Sequence, residues 1–149
     1  MTILSILRDD NPRLRQPCQP VERVQNVQNL AEDMIATMRA AHGIGLAAPQ
    51  VGHPVRLVVV GAGTWRKFPL VLINPVVTPI GDKRTTEQEG CLSLGSRRVQ
   101  VRRHDKIHVE ALSINGQPMS FNAKGMQARC IQHEVDHLDG VLITDRSTA

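Results

Sequence analysis

A chain of 149 residues, 41% of them apolar, can bury roughly 70% of its unfolded surface as one domain and needs no second. Tyr is absent and the aromatics are only Trp65, Phe68 and Phe121, so the core must be aliphatic. The net charge of +4 favours loose association with anionic surfaces such as RNA, but the basic residues form no long run, which argues against nucleic-acid binding as the main function and against DNA as a partner.

The N-terminal apolar patch is interrupted at Arg8 and followed by no small-residue cleavage site, and no segment approaches a membrane span. Cys18, Cys91 and Cys130 are odd in number, which argues against a disulfide framework and for a reducing cytoplasm where a thiol is free to bind metal. After Pro12, Pro17 and Pro20, the apolar positions Val27, Leu30, Ala31, Met34, Ile35 and Met38 follow the i, i+3, i+4, i+7 rule of an amphipathic helix, which Gly43 is placed to end.

GIGLAAPQVG (43–52) follows, and half of it is Gly or Ala. Such a loop presents bare backbone, serving either a tight turn or the close approach of another chain. VRLVVV (55–60) and LVLINP (70–75) read as buried strands, joined by GAGTWRKFP (61–69) as a mobile surface loop. Further strands are expected at 98–102, 106–112 and 117–123, the last two joined by a hairpin turn at Asn115-Gly116. A helix from about 125 to 137 closes the chain. The expected class is α+β, with antiparallel strands packed around a C-terminal helix and an amphipathic helix near the N-terminus.

That closing helix carries QHEVDHLDG, the one H-E-x-x-H of the sequence. Four residues apart, His133 and His137 share a helix face and can reach one divalent ion, with Glu134 beside them as a base. The chemistry this serves is metal-assisted hydrolysis, but a catalytic site normally needs a third protein ligand. Downstream only Asp139 and Asp145 remain; upstream, EGCLS (89–93) offers Cys91 beside an acidic residue. A thiolate suits zinc or ferrous iron, although a lone cysteine is more often a small buried hydrophobe, the reading given to Cys18 and Cys130.

GIGLAAPQ, EGCLS and QHEVDHLDG, in this order, resemble the three motifs of the peptide deformylases, and the resemblance spans nearly the whole chain. It implies one catalytic domain over 1–149, a metallohydrolase acting on a linear amide that removes the N-formyl group from the starting methionine of nascent polypeptides and releases formate. Cys91, His133 and His137 would bind the metal. Glu134 would shuttle the proton, and Gln50 with the backbone N–H of Leu92 would hydrogen-bond the developing oxyanion. Gly43, Ile44, Gly45, Glu89, Gly90, Arg98 and Arg129 would contact substrate, with Gly45 helping to hold the peptide as an added strand.

The same resemblance implies Fe²⁺ in the cell, with Zn²⁺, Ni²⁺ or Co²⁺ in purified protein. It further implies formyl-methionyl nascent peptides as partners, weak ribosome association, no membrane and a monomer, located in a bacterial cytosol, or in a host cytosol if phage-encoded.

Three departures stand out. LGSRR (94–98) replaces a segment that usually holds a proline, although Arg98 falls where an arginine is usual. Arg129 occupies a position expected to be apolar and is expected to snorkel outward from the pocket. Only twelve residues follow His137, where bacterial members commonly continue into a further helix. Two other readings compete: a metallopeptidase cutting internal bonds, disfavoured by the cysteine, and a non-catalytic binding protein, disfavoured by the retained base. His42 is read as a solvated loop residue.

Overall fold

The computed structural model describes residues 1–61 and 69–148, so most of the loop expected at 61–69 lies outside the described residues. Two helices and seven strands make up the frame. They are α1 (Gln28–Ala40), β1 (Gly45–Ala47), β2 (Leu57–Val60), β3 (Leu70–Pro79), β4 (Arg84–Gly90), β5 (Arg98–His104), β6 (Lys106–Leu112), β7 (Pro118–Lys124) and α2 (Gly125–Leu138). Five strands form an antiparallel sheet in the order β1-β2-β3-β6-β7; β4 and β5 form a separate antiparallel ribbon. The architecture is α+β with antiparallel sheets and helices. Among the described residues no helix is long and apolar enough to cross a membrane.

The unbroken apolar run of β2 has a direct cause. Successive side chains of a strand point to opposite faces. Val58 and Val60 pack with Ile131 and Leu138 of α2, while Leu57 and Val59 pack with Ala31, Met34 and Met38 of α1. A strand covered on both sides can expose no polar residue, so alternation disappears. The buried set is aliphatic, with Phe121 only half-buried at its margin.

Local details depart from expectation in instructive ways. Gly43 does not end α1 by its own conformation. His42 takes the left-handed turn (φ 56), and the N–H groups of His42 and Gly43 close onto the carbonyls of Arg39 and Met38 at 3.1 and 2.9 Å. Gly43 is small for another reason, since a Cβ there would meet Leu92 Cδ1 at 2.7 Å.

β3 runs past Pro75 through a register shift. Asn74 (φ 52) bonds the N–H and carbonyl of Val21 with its side chain, at 2.8 and 2.9 Å, while the ladder resumes at Val76. β4 was not among the strands expected from the sequence. It pairs with β5 from Arg84↔His104 to Gly90↔Arg98, and lacks the apolar signal because its inner face uses ion pairs.

Candidate active site

The site lies where α2 passes between the large sheet and the ribbon. α2 packs on β1 and β2 on one side and on β5 on another. Its buried face presents Arg129, Cys130, His133, Glu134 and His137, the expected consequence of 3.6 residues per turn. Across from it, Cys91 ends β4 and opens a 3-10 turn, Leu92–Leu94, while Gln50 lies in the 3-10 turn Ala48–Val51.

Cys91, His133 and His137 are brought together, each buried, with one ligand atom apiece all within 4.8 Å of one another. Cys91 Sγ lies 3.4 Å from His137 Nε2. A tetrahedral ion with bonds of about 2.0 to 2.3 Å would separate such donors by roughly 3.6 Å, so the donor set and its spacing fit a divalent cation of the zinc or ferrous class. Burial, and then the charge of His133 and Arg103, push His137 well below the usual histidine range, which keeps its imidazole neutral as a ligand must be.

His133 is held by Glu89, whose Oε1 lies 3.0 Å from His133 Nδ1. Such a carboxylate–histidine pairing would orient the imidazole and leave its other nitrogen free to bind an ion. Glu89 also receives a bidentate pair from Arg103, Nε and Nη2 each at 2.9 Å, and a further bond from Arg129 Nη1 at 2.7 Å. Burial alone would raise the Glu89 carboxyl, but hydrogen bonds and charge from Arg103 and His133 prevail and hold it at about 2. Burial likewise opposes charge on His133, yet Glu134, Cys91 and Glu89 push it up to about 10, so an ion bound there would displace its proton.

Glu134 is buried, and its Oε1 has no hydrogen-bond partner among the described residues. Burial raises it to about 7, against the lowering charge of His133 and Arg103. A carboxylate poised near neutrality with an unsatisfied oxygen is suited to take and return a proton. Gly45 makes room for it, because a Cβ there would lie 2.4 Å from Glu134 Oε2 and 2.9 Å from Cys130 Sγ.

Gln50 is oriented by its own loop. The Ala47 N–H donates to Gln50 Oε1 at 2.9 Å, which points Nε2 toward Ser93 Oγ (3.1 Å) and Cys91 Sγ (3.5 Å). The Leu92 N–H opens its 3-10 turn and so has no acceptor within that turn.

One cavity of about 440 Å³ is lined by Gly43, Ile44, Gly45, Glu89, Gly90, Arg98 and Arg129, together with Gln50, Cys91, Leu92, His133 and Glu134. Every site residue singled out from the sequence touches it except His137, which lies beneath at 1% exposure. The expected outward course of Arg129 is overturned. Its guanidinium is buried and bonded to Glu89, to the Val101 carbonyl at 2.9 Å, and to the Thr85 carbonyl and Oγ1 at 2.8 Å each. Glu89 departs from its expected substrate role in one respect: both carboxylate oxygens are spent on internal partners.

The LGSRR segment resolves into a turn at Gly95 (φ 63) leading to β5, with Arg98 packed across Gly90, where a Cβ would fall 1.5 Å from Arg98 Nη1. Cys18 and Cys130 are buried, and Cys130 Sγ reaches the Ile44 carbonyl at 3.3 Å. His42 is exposed at the cavity margin.

A model of the polypeptide deformylase family matches residues 3–149. The chain belongs to that family. It is 45% identical over 146 residues to the peptide deformylase of Chromohalobacter salexigens, covering 97% of this chain and 86% of that one. The crystal structure of the Thermotoga maritima peptide deformylase superposes with a TM-score of 0.94 at 36% identity over the whole of both chains. That of Synechococcus elongatus, in complex with actinonin, gives 0.92 at 40% identity, covering 98% of this chain and 79% of that one. Membership makes this chain a hydrolase of the peptide deformylase type.

Two residues of this deformylase-family site were not singled out from the sequence. Ser93 has its hydroxyl against Gln50, and Arg103 anchors Glu89. Arg103 had a readable signal: in RVQVRRH it falls in phase with Val99 and Val101, and a charge on the apolar face of a strand implies a buried partner. Ser93 had none beyond its place two residues after Cys91.

Proposed function

We propose that this chain, acting as a single catalytic domain, removes the N-formyl group from the starting methionine of nascent polypeptides and releases formate. The observation that carries the reading is the convergence of Cys91 Sγ with two imidazoles, beside an orphaned Glu134 oxygen. Cys91, His133 and His137 would hold a divalent ion, which when bound supplies a water of lowered pKa and a polarised carbonyl. The ion we favour in the cell is Fe²⁺; Zn²⁺, Ni²⁺ or Co²⁺ would replace it in purified protein according to availability.

The chain's own residues divide the remaining work. Water adds to the formyl carbon while Glu134 takes one of its protons. Charge developing on the carbonyl oxygen is met by Gln50 Nε2 and the Leu92 N–H, donors fixed in place before reaction. The C–N bond then breaks, and Glu134 returns its proton to the departing amine, leaving formate and a free N-terminus.

β1 is an edge strand, paired among the described strands only with β2, so a substrate peptide can extend the sheet along Gly43–Gly45. Gly90, Arg98 and the covered stem of Arg129 would line the space for the methionine side chain. We place the protein in the cytoplasm as a monomer, working on nascent chains with at most weak ribosome association.

The test is formate release from formyl-Met-Ala-Ser by protein reconstituted anaerobically with ferrous or nickel ion. Turnover in the wild type and its loss in Glu134→Ala, with metal content unchanged in both, is the expected result. Equal rates in the two proteins would sink the reading.

A further inference from the structure

A second cavity, of about 340 Å³, opens on another face of α2, lined there by Gln132, Val135 and Asp136. The residues that give it character are Arg84 of β4, Arg102, Arg103 and His104 of β5, and Arg146 near the C-terminus. In the ribbon Arg84 lies opposite His104, and Arg102 follows on the same face two residues away, so the ladder itself holds these three side chains as neighbours.

The charge in this cavity is unbalanced. Its one carboxylate, Asp136, is shared between Arg103 Nη1 at 2.6 Å and Arg146, whose Nε and Nη2 lie at 2.6 and 3.0 Å. The remaining Arg103 donors are spent on Glu89. Arg84 and Arg102 are exposed, and neither guanidinium has a hydrogen bond or ion pair to a described residue. His104 is fixed by its backbone, which exchanges bonds with the Gln132 amide at 3.2 and 2.8 Å, yet its Nδ1 is buried without a partner among the described residues. A buried ring nitrogen left unsatisfied is costly unless something completes it, and the two exposed guanidiniums beside it have no counter-charge among the described residues.

We infer that this cavity is a phosphate-binding site, in which Arg84 and Arg102 pair with the oxygens of a phosphoryl group and His104 Nδ1 supplies a hydrogen bond from the wall. Guanidiniums match such oxygens in geometry and charge. Burial, with the nearby charge of Arg84 and Arg146, pushes His104 below the usual histidine range, so the ring is neutral and can donate through one nitrogen only. The ligand is a phosphomonoester or the phosphodiester backbone of RNA, two sources of one chemistry. No residue assigned to deformylation binds the phosphate; Arg103 lines this cavity with its donors held by Asp136 and by Glu89 of the first cavity.

Full-length, metal-loaded protein is titrated with inorganic phosphate by calorimetry and with a short single-stranded RNA by anisotropy at several salt concentrations. Binding of phosphate alone assigns a phosphomonoester, and much tighter binding of RNA assigns the polynucleotide backbone. In either case Arg84→Ala/Arg102→Ala weakens binding by roughly tenfold for each arginine removed. For RNA the log–log salt slope falls by about one per lost contact, while Arg84→Lys/Arg102→Lys keeps most of it. Formate release stays at the wild-type rate in all variants, which also reports that they fold. In the wild type, phosphate shifts the ring resonances of His104. Absence of binding by both probes, equal affinity of the alanine variant, or an unmoved His104 would overturn the assignment. So would a hexaglutamate peptide binding as tightly as RNA, which points to an acidic protein partner instead.

Discussion

Gly45 must be small because a Cβ there would lie 2.4 Å from the Glu134 carboxylate. Gly45→Ala must displace that carboxylate, and a displacement near 1 Å of a catalytic group costs on the order of 10²-fold in rate. The expected outcome is a fall in kcat of that size with metal content and thermal midpoint nearly unchanged, measured by formate release and calorimetry. Arg129 tests the opposite kind of demand. Arg129→Met keeps the stem but removes one of the partners of Glu89 and the donors to the carbonyls of Thr85 and Val101. Loss of one member of a buried ion pair costs about 3–5 kcal/mol, to be read from urea unfolding. From the sequence both residues were visible as members of the site, but only the coordinates show what each one touches.

At the scale of elements, α2 joins core and chemistry in one helix. Its periodicity was plain in the sequence, and Ile131, fully buried between the site residues, anchors it to β2. Ile131→Ala should destabilise the fold by about 2–5 kcal/mol while leaving the ligand set intact, checked by denaturant midpoint beside metal analysis. The ribbon reaches α2 through Glu89, and this contact makes stability sensitive to acid. The folded carboxyl sits at about 2, below its ordinary 4.5, so its contribution is complete above pH 4.5 and drains away as pH falls toward 2. The amount is roughly 3 kcal/mol. Glu89→Gln should flatten that part of the stability–pH curve between pH 5 and 3, although it lowers the plateau. β4 itself was invisible as a strand because Thr85, Glu87 and Glu89 occupy the positions where an apolar residue would have signalled an inner face.

For the whole molecule, the cluster that could hold a metal draws Cys91 from beside the ribbon end and two histidines from α2, so an ion bound there would tie separate parts of the fold together. At an ion concentration a hundredfold above its Kd, binding adds about 2.7 kcal/mol, a rise in Tm of roughly 5–10 °C for a chain of this size. Chelation should reverse that rise, and Cys91→Ser should abolish it, both followed by scanning calorimetry.

The two α-helices, five of the seven strands described, the aliphatic core, the pairing of His133 with His137 and the presence of three motifs were legible in the sequence because each rests on local spacing along one helix, strand or turn. The ligand triangle, the inward turn of Arg129, the Arg103–Glu89–His133 chain and the basic cavity behind α2 were decided by the tertiary structure. They depend on where residues 14 and more positions apart meet, and on which buried charge finds which partner. Periodicity along a chain carries no record of either.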